Sequence, residues 1–289
     1  MNAQSAGIPL PDCSDASRSE LEKLVTILAL PRSGTTVLTA ILSVHSRVIS
    51  LYEPWNANQA TVDAHHPMSY DMFLRRFVPH QEPGKSVLVA KETATDLDYT
   101  VRIAELLDTA PDWIERHLII PLRNPFHVFL SEVQARREWW GANDLRVGAE
   151  SFQLWAARTL AGLRVLATLA RKHNALLISY DRFSADPAMV DDLNWAIGLV
   201  PQPNQREFER HLDQRAVRGD INVARSPHKL TAASVKHRAE ELETVRSLID
   251  TTPEYALIME VAELFEGLPA LSRASQNVAL IDRLITIGT

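Results

Sequence analysis

The sequence predicts an α/β fold, a central parallel sheet flanked by helices, ending in a helical C-terminal region. Three observations carry this expectation. Short aliphatic runs alternate with helix-spaced segments up to about residue 200. The first run, Leu24 to Leu30, has the aliphatic composition of a strand covered on both faces. No repeat, low-complexity tract or linker interrupts the chain, so residues 21–289 read as one domain behind a loose arm at 1–20, which carries Pro9, Pro11 and several serines.

Composition narrows the function classes. Of 289 residues, 46% are apolar and 23% charged, the proportions of a soluble globular protein. The net charge of −6 argues against a nucleic-acid partner but leaves a local basic patch open. Cys13 is the only cysteine, which excludes an internal disulfide and a cysteine-based zinc site. No run of about 18 apolar residues is present to span a bilayer, and no basic-then-apolar leader opens the chain. A cytoplasmic location is therefore expected.

The first strand ends at Pro31, which biases Leu30 to an extended shape. Gly34 allows a tight turn, and helical spacing begins at Thr36 with Val37, Leu38, Ile41 and Leu42. Strand, phosphate-sized loop and helix make an anion site, because the first N–H groups of a helix have no helical partner and its dipole favours negative charge. Arg32 adds a positive fork, and Thr35 and Thr36 add hydroxyls. The loop is not a Walker A motif: with Gly34 as second glycine, the first falls on Ala29 and the lysine on Thr35. An ordinary strand–helix turn with a surface arginine is the structural alternative.

Val48 to Tyr52 reads as a second strand, stopped by Glu53-Pro54-Trp55-Asn56. Residues 57–68 read as a loop carrying His65 and His66, whose spacing to other ligands supports no metal. Met72, Phe73, Arg76 and Phe77 fit a helix. Ser86 to Ala90 is a third strand followed by Lys91-Glu92-Thr93, and Val101 to Leu107 a helix. His117 to Leu122 is a fourth strand, followed by Arg123-Asn124-Pro125 and a helix from Phe126 towards Trp139. Residues 150–173 form the longest helical pattern, and Ala175 to Tyr180 a fifth strand. Asp186 and Pro187 supply an N-cap and first residue for another helix. Beyond 200 no strand is expected; helices are placed at 204–212, 231–249, 254–266 and 275–287, with an arginine-rich loop at 213–230. The helices after 231 either pack on the sheet or meet a second copy of the chain.

Functional residues of a parallel sheet gather at the carboxyl ends of its strands. Glu53, Lys91 with Glu92, and Arg123 all follow strand endings, so one carboxylate and three cations, Arg32 included, could share a rim. That set suits transfer of a small anionic group: cations neutralise the moving and leaving groups while a carboxylate takes a proton. Each residue also has an ordinary reading, as a solvated strand end, a solvated lysine or a carbonyl cap; Ser131 alone could simply face out from its helix. Arg136-Arg137-Glu138-Trp139-Trp140-Gly141 could wall an acceptor or belong to the core.

Pro31-Arg32-Ser33-Gly34-Thr35-Thr36 resembles the 5′-phosphosulfate loop of the sulfotransferase family. Arg123-Asn124 with Val128 and Ser131 resembles its 3′-phosphate segment, Arg-Asn-x-x-x-Val-x-x-Ser. Tyr180 to Pro187 is similar to its Tyr-Glu-Asp-Leu-x-x-x-Pro stretch. The matches keep the family's order over roughly residues 24–200. The resemblance implies a three-layer, P-loop-like fold and 3′-phosphoadenosine 5′-phosphosulfate (PAPS) as donor, with no metal. It would give Arg32, Ser33, Gly34, Thr35 and Thr36 the phosphosulfate, Arg123 and Ser131 the 3′-phosphate, and Tyr180 the adenine. It would make Glu53 the base, as in the carbohydrate and protein-tyrosine branches, with Lys91 assisting the leaving group. The cytosolic phenol and steroid branch differs: it has lysine at the place of Arg32, tryptophan at that of Val37, and a later histidine base. That branch's Arg-Lys-Gly donor clamp has only loose counterparts here, at Arg215, Arg218-Gly219 or Ser226-Pro227-His228-Lys229.

The expected function is sulfuryl transfer from PAPS to an acceptor hydroxyl, on a small molecule, carbohydrate or natural product, by in-line displacement. Arg32 and Lys91 would act with Glu53. A P-loop-type nucleotide kinase and a non-catalytic nucleotide-binding protein are the alternatives. The kinase needs a Walker B strand ending in aspartate, which the sequence does not offer.

Overall fold

Side-chain alternation along the strands sets the layering. The computed structural model describes residues 21–55, 68–78, 83–93, 97–138, 147–210, 243, 246–247 and 249–288. Its strands are β1 (Lys23–Ala29), β2 (Val48–Tyr52), β3 (Val87–Thr93), β4 (Glu115–Leu122), β5 (Leu176–Ser179) and β6 (Leu271–Arg273). They form one sheet in the order β2-β3-β1-β4-β5-β6. The first five are parallel and β6 joins antiparallel to β5. All seven residues of β1 are buried, as a central strand covered on both faces requires.

On one face, Leu24, Leu28, Leu88, Leu118 and Leu177 enter a core shared with α3 (Leu97–Thr109), α4 (Pro125–Glu138), α5 (Ala149–His173), α8 (Pro253–Glu266) and α9 (Val278–Thr286). On the other, Val25, Ile27, Val87, Val89 and Ile178 pack against α1 (Thr35–Ser43), α7 (Met189–Ala196) and a 3₁₀ segment, Pro203–Arg210. Helices therefore cover both faces, which is the expected three-layer α/β arrangement. Helix α2 (Tyr70–Phe77) adds Phe73 to the first core beside Trp55, with ring centroids 4.9 Å apart.

Helix α4 follows the fourth strand and must be held firmly if it is to present anything at the rim. Phe129 meets Phe152 edge-on at 5.2 Å and Trp155 at 5.0 Å. Beside them Glu132, with a side chain 3% exposed, accepts from Trp155 Nε1 at 3.2 Å, Arg158 Nη2 at 2.6 Å and Arg136 Nη2 at 3.1 Å. A buried carboxylate with three donors is satisfied, and it ties α4 to α5.

Several boundaries differ from the sequence reading. Strand β6 was not expected; three residues are too few to show alternation, and antiparallel pairing with β5 creates it. Tyr180 opens a short helix, α6 (Tyr180–Phe183), instead of ending the fifth strand. Helix α7 begins at Met189, not Pro187: Asp186 Oδ1 accepts from Ala188 N at 2.9 Å and so closes the preceding turn. The described part of the segment 204–212 is 3₁₀ over Pro203–Arg210 with a kink at Glu207, and the last helix starts at Val278 after a 3₁₀ turn, Ala274–Gln276. The arm at 1–20, the loop at 213–230 and most of 231–249 lie outside the described residues. No helix among the described residues is long and apolar enough to cross a membrane.

Candidate functional site

The chain leaves β1 through α1, lays β2 and β3 on one side, then crosses to β4 on the other. The crevice at the carboxyl end of β1 is thus the switch point where ligands of open α/β sheets bind. The loop from Pro31 to Gly34 occupies it, and α1 starts immediately behind.

Backbone strain concentrates here. Among the described residues, three that are not glycine have positive φ: Arg32 at 65°, Glu53 at 49° and Asn174 at 46°. Asn174 is the C-cap of α5, where the left-handed shape is routine. Arg32 and Glu53 have no such excuse. Each costs on the order of 1 kcal/mol, held by surrounding contacts. Gly34, at φ 96°, caps α1 and lies directly under the Tyr180 ring. A Cβ there would sit 2.1 Å from Tyr180 Cε2 and in a backbone shape that side chains resist. Gly34→Ala is expected to destabilise the fold by about 2–4 kcal/mol, overpacking and strain together. A thermal melt within a degree of the parent would show that the ring does not rest on this loop.

Strand β3 runs on to Thr93, so Lys91 and Glu92 lie within the strand and not after it. Pleating then sends them to opposite faces. Lys91 continues the Val87 and Val89 face, under α1, and its Nζ lies 3.4 Å from Thr36 Oγ1 and 2.5 Å from Glu53 Oε1. Thr93 Oγ1 donates to the same carboxylate oxygen at 3.4 Å. The ammonium is nearly buried, at 6% side-chain exposure, whereas the carboxylate is 28% exposed and open to an acceptor. Glu92, on the other face and fully buried, accepts from Trp55 N at 3.2 Å, and Glu53 N donates to Lys91 O at 2.8 Å. Two hydrogen bonds from β3 thereby fix the turn that carries Glu53.

Arg123 stands at the end of β4 with its side chain 9% exposed. Its Nη1 donates to Arg32 O at 2.9 Å, and its guanidinium lies 5.3 Å from the Tyr180 ring centroid, at cation–π distance. Burial pulls its pKa down from the ordinary arginine value, with Tyr180 and Asp181 opposing and Arg32 adding to the fall. Arg32 Nε donates to Ser131 Oγ at 3.2 Å, from a serine on the second turn of α4. Ser33 and Thr35 are buried beneath the loop.

One connected rim therefore holds Glu53, Lys91, Thr36, Gly34, Arg32, Ser131, Arg123 and Tyr180. Arg218, Arg215 and Ser226 to Lys229 lie outside the described residues, as do His65, His66, Trp139 and Trp140. No cluster of three or more His, Cys, Asp or Glu side chains is placed to hold a metal among the described residues. Asp181, which the sequence shows only as part of the Tyr180 to Pro187 stretch, and His127, which it does not single out, also lie here. Asp181 Oδ2 accepts from Asn124 N at 3.1 Å, across a separation of 57 positions that no local pattern reveals.

No protein-family model and no curated protein sequence matches the chain. Solved structures do. The sulfotransferase domain from the Synechococcus PCC 7002 olefin synthase superposes with a TM-score of 0.56 at 15% identity, over 90% of this chain and 99% of that domain. The chain has the sulfotransferase fold. A second sulfotransferase domain, from the curacin biosynthetic pathway, superposes with a TM-score of 0.53 at 15% identity, over 86% of this chain and all of that domain. At this identity the likeness to the two sulfotransferase domains carries the P-loop-like architecture; what the site does rests on its own residues.

Proposed function

We propose that this chain is a PAPS-dependent sulfotransferase that acts on a hydroxyl group. The observation that carries the reading is Lys91, which reaches both Glu53 and Thr36 and so spans the proton acceptor and the anion loop. The residues fit the donor. A nucleotide with phosphates at both ends of its ribose needs two cationic poles; Arg32 with the start of α1 supplies one, and Arg123 with Ser131 the other. Arg123 Nη1 donates to the carbonyl of Arg32, so the two poles adjoin.

When bound, PAPS supplies the sulfuryl group. The new bond joins sulfur to the acceptor oxygen, and the bond to the 5′-phosphate oxygen breaks with its electron pair. Glu53 takes the acceptor proton. Arg32, Lys91 and the N–H groups at the start of α1 stabilise charge on the departing oxygen. The absence of a lysine at position 35 agrees with this, because no β,γ-phosphate chain has to be bridged. A small-molecule acceptor is favoured by the structural neighbours, which are domains of an olefin synthase and of a biosynthetic pathway.

Calorimetric titration with 3′-phosphoadenosine 5′-phosphate (PAP), run beside ATP with Mg²⁺, tests the donor. Binding of PAP alone is expected. Binding of ATP–Mg²⁺ alone would replace the reading with a kinase, and binding of neither would remove the nucleotide from it.

A further inference from the structure

Three buried polar atoms face one another behind the rim. Arg123 Nε, His127 Nδ1 and Asp181 Oδ1 each lack a hydrogen-bonding partner. Asp181 Oδ1 lies 3.7 Å from the first and 3.5 Å from the second, long for hydrogen bonds but close for charges. Its other oxygen is fixed by Asn124 N. Burial pushes the Asp181 pKa up, but His127, the Arg123 charge and the Asn124 N–H outweigh it, leaving the carboxyl below its usual range. A charged carboxylate therefore stands behind Arg123, anchored to the residue that follows it.

Two other contacts hold the Arg123 guanidinium. Nη1 is tied to Arg32 O and one face of the guanidinium meets the Tyr180 ring. Neither contact engages Nε, whose charged neighbour is Asp181. Recognition of a phosphate by an arginine is directional, with two parallel N–H groups in one plane. Tyr180 and Asp181 are adjacent on α6, so one short element delivers both the stacking face and the carboxylate.

We infer that Asp181 is a positioning residue: it turns the Arg123 fork and so sets the selectivity for a 3′-phosphate. This rests on the sulfotransferase reading above. The experiment is titration of the full chain and of Asp181→Asn with PAP and with adenosine 5′-phosphate (AMP), which lacks the 3′-phosphate, beside thermal melts. Asparagine keeps the shape and the acceptor for Asn124 N but removes the charge. The preference for PAP over AMP is expected to fall about tenfold, with AMP affinity held within about twofold. A merely structural role would lower both affinities together. An unchanged preference, or tighter PAP binding from removal of a negative charge, would overturn the inference. Should Asp181→Asn not fold, His127→Asn removes the second contact to the same oxygen; a threefold loss of preference is expected, and no loss would overturn it. A parent protein that does not prefer PAP to AMP would instead refute the donor reading itself.

Discussion

Glu53→Gln is expected to lower the turnover number by about 10²–10⁴-fold while leaving PAP affinity within about twofold. The size is that of a lost general base, about 3–5 kcal/mol of transition-state stabilisation. Glutamine is the informative replacement because of Lys91. The ammonium is almost buried and has Glu53 Oε1 at 2.5 Å. Alanine would leave that charge without its carboxylate, and a loss of activity could then come from a displaced lysine. Glutamine keeps a neutral oxygen for Lys91 and Thr93, so the ammonium stays hydrogen-bonded although its counter-charge is lost together with the capacity to take a proton. Its backbone must also adopt the φ of 49° already imposed on Glu53, which the bonds from β3 enforce for either residue. Turnover assayed with an acceptor that the parent sulfates, beside a PAP titration, separates the two effects. Normal turnover would remove Glu53 as base; a collapse of PAP affinity would mean that the residue holds the loop through Lys91 instead.

The rim was legible in sequence to the extent that each residue sits beside a strand end. The β1 loop announces itself through Pro31, Gly34 and a change from aliphatic run to helical spacing, all local signals. Arg123 follows β4 and Ser131 lies on the helix behind it, and in the fold the serine meets Arg32 from 99 positions away. The sequence puts Lys91 just after the third strand. It lies inside β3, and only the pleat explains why it faces α1 while Glu92 turns into the opposite core. Asp181 lies in the Tyr180 to Pro187 stretch, but nothing in that stretch shows which group its carboxylate meets until the fold brings the end of β4 alongside. Strand β6 was invisible for another reason: its three residues are strand only through their pairing with β5.

Arg123→Ala is expected to weaken PAP binding by about 10²-fold and AMP binding by about threefold. The first figure corresponds to about 3 kcal/mol, the loss of charge-assisted hydrogen bonds to a phosphate in a buried setting. The smaller second figure follows from the loop. Arg123 Nη1 holds the carbonyl of Arg32, whose left-handed backbone depends on its neighbours, so removing the guanidinium loosens the 5′ pole as well. On the proposed reading the two poles are coupled through one side chain, so a change at Arg123 is expected to carry some cost at the 5′ end as well. Arg123→Lys discriminates between charge and shape. Lysine keeps the positive charge but cannot at once donate to Arg32 O, stack on Tyr180 and present a fork beside Asp181. It should recover AMP binding more fully than PAP binding. Equal losses for both nucleotides in Arg123→Ala would contradict its assignment to the 3′-phosphate and make it a residue of loop architecture alone.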